Sequence, residues 1–412
     1  MVRRIGLCVA VCMLVFLSGS ALFAAKTVYI GGTMSLTGPY AEDSAAVLAG
    51  FQDYVRYVND TKQMAPWRKE KWPSDITVEL LWRDDELKPA KALSIYEELK
   101  AKGILVYRAS GSPIALALKD RLKQDGFGAT SMSTGSFLMT PPGTIFTYYP
   151  IYTDDLAAVA DWFKKGWKEQ RKPRVAYLTA DNSMGKSIEI PEMEAYLKNA
   201  GYEFAGTQYV PLVPTSPPTT QLMWLKQNKV DLALGIMINP GAQPTAKEMI
   251  RLDMGPNKPY KMTFACGTPA HIVPFADAMG ELGDGFVVAG DYPPWEDAVP
   301  GVRGMVEIQK KYHPDKFVRH TQYMGGMIEA MTQLEALRLA LEQTPLEKLK
   351  PVDVLNNGFY KIKNLDMGGI TGSPLTYGPG KIEGVDAVRV DQMVKGKIVN
   401  RGTFPCRGIY TH

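Results

Sequence analysis

The chain has 412 residues, 45% of them apolar and 22% charged, with 47 Lys and Arg against 43 Asp and Glu. That near-neutral balance argues against a nucleic-acid partner, which needs a basic face. The length exceeds the roughly 250–300 residues at which one core usually splits, so two domains are expected.

Arg3 and Arg4 precede an almost wholly apolar run, residues 5–17, and Leu22-Phe23-Ala24-Ala25 supplies small residues for cleavage. That order predicts a signal peptide over residues 1–25, and hence a periplasmic protein. The run is shorter than the roughly 20 residues of a membrane-spanning helix. Cleavage lowers the formal charge from +4 by two arginines. Cys266 and Cys406 then remain. An oxidising compartment permits them to pair, and two separate thiols are the alternative.

The mature start, residues 27–32, reads as a short strand ending in glycines. Val47, Leu48, Phe51, Tyr54, Val55 and Val58 follow at helical spacing. Residues 61–74, with Trp67 and Trp72, form an insertion, either a docking element or a surface loop. Residues 76–82 alternate as a strand, and 89–102 as a helix. A strand at 104–107 leads to Ser110-Gly111-Ser112 and a helix over 113–125. Residues 128–131 lead to Ser133 and Thr134.

A second series begins after Pro150: a helix over 154–169, a strand over 175–179 and a loop around Met184. A helix over 188–200 and a strand over 209–213 come next. Residues 221–227 read as a helix, 231–238 as a strand, and 239–254 as a turn into a helix. Strands over 262–266 and 285–290 follow. A helix over 326–342 and a shorter one over 348–358 precede a β-hairpin within 377–404. Strand–helix alternation predicts parallel sheets covered on both faces. Ligands of such sheets sit beyond the carboxyl ends of the strands, where the Ser, Gly and Thr loops fall.

No GxSxG, HExxH, GxxxxGK[ST] or GxGxxG motif occurs. His271, His313, His320 and His412 lack ligand spacing. Binding rather than catalysis is therefore expected, with no metal and no cofactor. A hydroxyl and free N–H groups at a helix start suit a carboxylate, although serine there also caps helices routinely.

The order of segments carries a resemblance. It runs through Gly32-Thr33-Met34-Ser35-Leu36-Thr37-Gly38-Pro39-Tyr40-Ala41, Ala49-Gly50, Tyr57-Val58-Asn59 and Leu80-Leu81-Trp82-Arg83-Asp84-Asp85. Pro89-Ala90-Lys91-Ala92 and Gly103-Ile104-Leu105-Val106 continue it. Over 26–404 the chain resembles the leucine/isoleucine/valine-binding receptors of ABC transporters, the type I periplasmic binding proteins. The resemblance implies an α/β fold of two Rossmann-like, doubly wound lobes joined by a three-crossing hinge. Lobe 1 is expected at 26–149 plus 292–357, and lobe 2 at 150–291 plus 358–412.

It also implies a ligand carboxylate on Ser110, Gly111 and Ser112, with Ser133 and Thr134 beside them. The lobe 2 aromatic is replaced by Met184. The acid that amino-acid binders hold in the loop matching 267–269 is missing, since no Asp or Glu occurs between Thr263 and Ala276. A buried ammonium without a partner is costly. An aromatic or aliphatic acid is therefore expected as ligand, with Tyr40, Met184 and Met237 lining an apolar pocket and Asn239 and Thr268 as neutral hydrogen-bonders. A branched-chain amino acid receptor, or a sensing module partnered with a kinase, is the alternative. The expected partners are a small molecule and a membrane permease, with the receptor itself monomeric.

Overall fold

A computed structural model of the chain describes residues 26–410. The first series runs β1 (Lys26–Met34), α1 (Ala41–Thr61), β2 (Ile76–Asp84), α2 (Pro89–Ala101), β3 (Tyr107–Ala109), α3 (Ser112–Gln124), β4 (Ala129–Ser131) and β5 (Ile145–Thr147). These strands form a sheet in the order β2-β1-β3-β4-β5, with every pairing parallel. Parallel strands need crossovers, and the intervening helices supply them.

The second series runs α4 (Tyr152–Gly166), β6 (Arg174–Ala180), α5 (Ser183–Lys186), α6 (Pro191–Asn199), β7 (Glu203–Val210), α7 (Thr219–Gln227), β8 (Leu232–Gly235), α8 (Asn239–Arg251), β9 (Thr263–Cys266), α9 (Ile272–Met279) and β10 (Val287–Ala289). The chain then provides α10 (Pro300–Tyr312), α11 (Gln322–Leu341) and α12 (Pro351–Asn357). β11 (Ala387–Val394) and β12 (Lys397–Pro405) close the second sheet as an antiparallel hairpin, in the order β12-β11-β10-β9-β8-β6-β7. The α/β architecture of two doubly wound units is thus the one expected from the alternation.

α11 belongs with the first sheet because it packs on α1. Two glycines set how closely. A Cβ on Gly50 would lie 2.0 Å from the Tyr323 carbonyl oxygen, and one on Gly326 2.0 Å from that of Val47. Small residues let the two backbones touch, and α11 is buried over most of its surface.

Several local readings differ. α9 and α10 are helices where the sequence reading has none. α9 carries Pro274 and is apolar nearly all round, whereas α10 buries Val302, Met305 and Ile308 at helical spacing, a stripe present in the sequence. The expected helix over 188–200 begins only at Pro191, as α6, and α5 is a separate single turn within the loop expected around Met184. β7 starts at Glu203, as a half-buried strand broken by Gly206 at φ 127°. The hairpin begins at Ala387 rather than near 377.

Residues 359–384 stay with the first sheet instead of joining the second. Phe359 stacks on Phe146 at 4.5 Å between ring centroids. Thr147 N–H donates to the Ile382 carbonyl at 2.8 Å, and Gly384 N–H to that of Thr147 at 2.8 Å. The passage back to the second sheet therefore falls after 384, not at Gly358.

The insertion folds onto the body. Trp72 is 2% exposed and its indole N–H donates to the Ile76 carbonyl at 2.9 Å. Trp67 donates to the Asp366 carbonyl at 3.2 Å. Both rings anchor the segment. Cys266 and Cys406 are free thiols. Among the described residues no helix is long and apolar enough to cross a membrane. The expected signal peptide, residues 1–25, lies outside the described residues.

One passage between the units carries buried acids. Ile151 N–H donates to Glu383 at 2.9 Å, while Asp154 accepts from the N–H groups of Gly408 at 3.0 Å and Ile409 at 3.3 Å. Burial, then the charge of Asp154, raises the Glu383 carboxyl to about 8. A carboxyl raised on folding stabilises fully below its unfolded value and loses that contribution as pH rises through its folded value. Thermal stability is expected to fall between about pH 5 and pH 9, and Glu383→Gln to flatten that fall by a few degrees. Melting curves at both pH values check this; parallel declines in the two proteins would refute it.

Candidate functional site

The loops at the carboxyl ends of β1, β3, β4, β6, β8 and β9 converge on one pocket between the two units. It encloses about 30 Å³ and is lined mainly by apolar atoms.

β3 delivers the first wall. Ser110 turns away from the pocket, because its hydroxyl donates to Asp85 at 2.5 Å, beside Ser35 at 2.7 Å on the same carboxylate. Gly111 is the N-cap of α3, and a Cβ there would lie 2.5 Å from the Tyr40 ring, so only glycine lets Tyr40 cover this turn. Ser112 follows with its hydroxyl 2.8 Å from that of Ser133, both buried. Ser133 is positioned by its own N–H, which donates to Ser131 Oγ at 3.0 Å. The positive end of α3 therefore opens beside two hydroxyls. Tyr152, from α4, completes this wall. Burial pushes its phenol up, while hydrogen bonding with Ser112 and Thr134 opposes that.

The opposite wall comes from the second sheet. Asn182 caps α5 by accepting from Gly185 N–H at 3.0 Å, and a Cβ on Gly185 would lie 2.0 Å from the Ala180 carbonyl oxygen. This tight turn presents Met184, whose sulfur accepts from the Tyr40 hydroxyl at 3.5 Å across the gap. Thr268 N–H and hydroxyl donate to Asp155 at 3.0 and 2.7 Å. Asp155 is fully buried, and that burial raises its carboxyl well above the usual range. An acid thus lies beneath the loop that lacks one in sequence, supplied by α4, but it is held by Thr268 and does not line the pocket.

A polar cluster forms the remaining wall. His271 Nδ1 faces Asp291 at 3.2 Å, and Asp291 also accepts from Ile272 N–H at 2.7 Å. His271 Nε2 lies 2.6 Å from the Gln322 amide nitrogen. His320 pairs with Asp43 at 2.9 Å, and the two imidazoles are 5.5 Å apart. Burial lowers the His271 pKa, but Asp291 and Asp43 outweigh it and leave it raised.

Of the residues singled out in sequence, Tyr40, Gly111, Ser112, Ser133, Met184 and Thr268 meet around this pocket. Ser110, Thr134, Met237 and Asn239 stand behind it. Thr134 accepts from Tyr152 N–H at 3.0 Å, and Asn239 donates to the His271 carbonyl at 3.0 Å. Met237 is core, packed against Gly235 and Gly241. Sequence reasoning missed Asp43, Met132, Tyr152, Ile238, Pro269, His271 and Gln322. His271, three residues beyond Thr268 in the same loop, was the most findable of them.

A family model described as periplasmic binding protein matches residues 27–364. No curated protein matches by sequence. Among solved structures, a branched-chain amino acid ABC transporter protein from Thermus thermophilus with bound valine superposes with a TM-score of 0.81 at 19% identity, covering 93% of this chain and 98% of that one. A fatty acid ABC transporter substrate-binding protein from Thermomonospora curvata gives 0.75 at 19% identity, covering 93% of each chain. A solute-binding protein from Rhodopseudomonas palustris BisB5 in complex with 3,4-dihydroxybenzoic acid gives 0.73 at 17% identity, covering 92% and 98%. At these identities the likeness shows the fold.

Proposed function

The chain belongs to the periplasmic binding protein family, and from that premise we propose that it is the solute receptor of an ABC importer. It is exported to the periplasm, acts as a monomer, closes its two lobes on a small carboxylate and presents the closed form to a membrane permease. Ligand contacts on both lobes favour the closed state.

The observation that carries this reading is the Ser112–Ser133 pair at the start of α3, facing Met184 and Thr268 of the other lobe in one pocket. Of the acids nearby, Asp43 is paired with His320, and Asp155 is held by Thr268 through one oxygen and stands behind the pocket wall. An α-ammonium would therefore compete for its counter-charge, whereas a plain acid would not. Tyr40, Met132, Met184 and Ile238 suit an aromatic ring or alkyl chain. The neighbours span this range, one holding valine, one handling fatty acids and one holding a dihydroxybenzoate. The valine-bound neighbour, together with Asp43 in the lining, favours an amino acid as the second reading.

Titration calorimetry with leucine and valine against benzoate and hexanoate separates the two. An acid is expected to bind at micromolar concentration and the amino acids not at all. Micromolar binding of leucine would overturn the acid reading.

A further inference from the structure

We propose that His271 and Gln322 form a second polar anchor in the pocket, so that the preferred ligand is an acid bearing another oxygen function, a hydroxyl or a second carboxylate. This deepens the receptor reading above and rests on it.

Both residues line the pocket and are 1% exposed. They come from opposite units, His271 from the N-cap of α9 and Gln322 from the first turn of α11. A buried, polar, interlobe pair is expensive unless its hydrogen bonds are used. Here they are used incompletely. Gln322 Oε1 is buried with no partner among the described residues. The Gln322 amide nitrogen already meets His271 Nε2, and its second hydrogen has capacity for a further acceptor.

The anchor is also rigid. Asp291 fixes the imidazole through Nδ1, and Asn239 fixes the His271 backbone. Ser112 and Ser133 bond to one another in a separate set that shares no member with this one. The pocket thus holds two independent polar sets in an otherwise apolar lining that includes Met132, Ile238 and Pro269. A single carboxylate satisfies the first set only. A ligand hydroxyl donates to the unpartnered Gln322 Oε1, and a hydroxyl or carboxylate oxygen accepts from the second hydrogen of the Gln322 amide.

The test is calorimetry on matched acids with the intact protein: benzoate against 4-hydroxybenzoate, and hexanoate against adipate. The doubly functional member of at least one pair is expected to bind about tenfold tighter or more, the margin of a buried hydrogen bond to an otherwise unpaired group. His271→Asn and Gln322→Leu are each expected to shrink that margin to less than about threefold, read as the ratio of the two affinities within a pair. Equal binding within both pairs overturns the proposal, and that comparison needs no variant to fold. Equal weakening of both members by the substitutions also overturns it, because that is what a latch between lobes would do. Failure of all four acids would instead remove the underlying acid-receptor reading, and the anchor with it.

Discussion

Glu329→Ala is expected to lower the unfolding free energy by about 3–5 kcal/mol, the cost of leaving one member of a buried ion pair alone. Glu329, on α11, pairs with the Arg108 guanidinium of β3, and neither side chain has any exposure. Arg108 also donates to the Thr33 carbonyl at 2.7 Å, and Tyr148 donates to Glu329 at 3.2 Å. Burial raises the Glu329 carboxyl, and Arg108 partly offsets it. Without the carboxylate, the guanidinium keeps one carbonyl and no counter-charge between the sheet and α11. Urea unfolding measures the loss; a change under about 1 kcal/mol would refute the assignment. Glu347→Ala is the control. It breaks an exposed pair with Lys26, and no measurable change is expected. Because Arg108 lies two residues before Ser110, the Glu329 variant is also expected to blur the pocket loop.

What the sequence revealed depended on how local the signal was. The spacing from Val47 to Val58 marks α1 because one face of that helix is buried. α11 is buried nearly all round, so only its length and lack of proline marked it. The path of residues 359–384 left little trace, since their contacts are with β5, more than 200 residues earlier. The pocket divides in the same way. A Ser-Gly-Ser turn before a helix is legible, but which serine faces the cleft is not. Asp85 decides that by drawing Ser110 behind the wall, and Asp85 arrives from a different strand. His271 and Gln322 are 51 positions apart and meet only when the lobes do. The acid beneath Thr268 is not encoded in 263–276, because α4 brings Asp155 there from over a hundred positions away.

That division between facing and backing serines gives the second large effect. Once an acid ligand is in hand, Ser112→Ala or Ser133→Ala is expected to weaken it by about ten- to a hundredfold, since a hydrogen bond to a charged group is worth roughly 1.5–3 kcal/mol. The two hydroxyls are 2.8 Å apart and bond to each other, so the double variant is expected to lose less than the sum of the singles. Ser110→Ala should behave oppositely. Its hydroxyl donates to Asp85, which is fully buried and loses a donor in the variant, so stability is expected to fall by about 1–3 kcal/mol. Affinity for the acid should stay within about threefold, because no Ser110 atom lines the pocket. Calorimetry and thermal unfolding on the three single variants resolve the two patterns. If Ser110→Ala abolishes binding at unchanged stability while Ser112→Ala binds as the original, the carboxylate does not sit at the start of α3 and the orientation argued for the ligand is wrong.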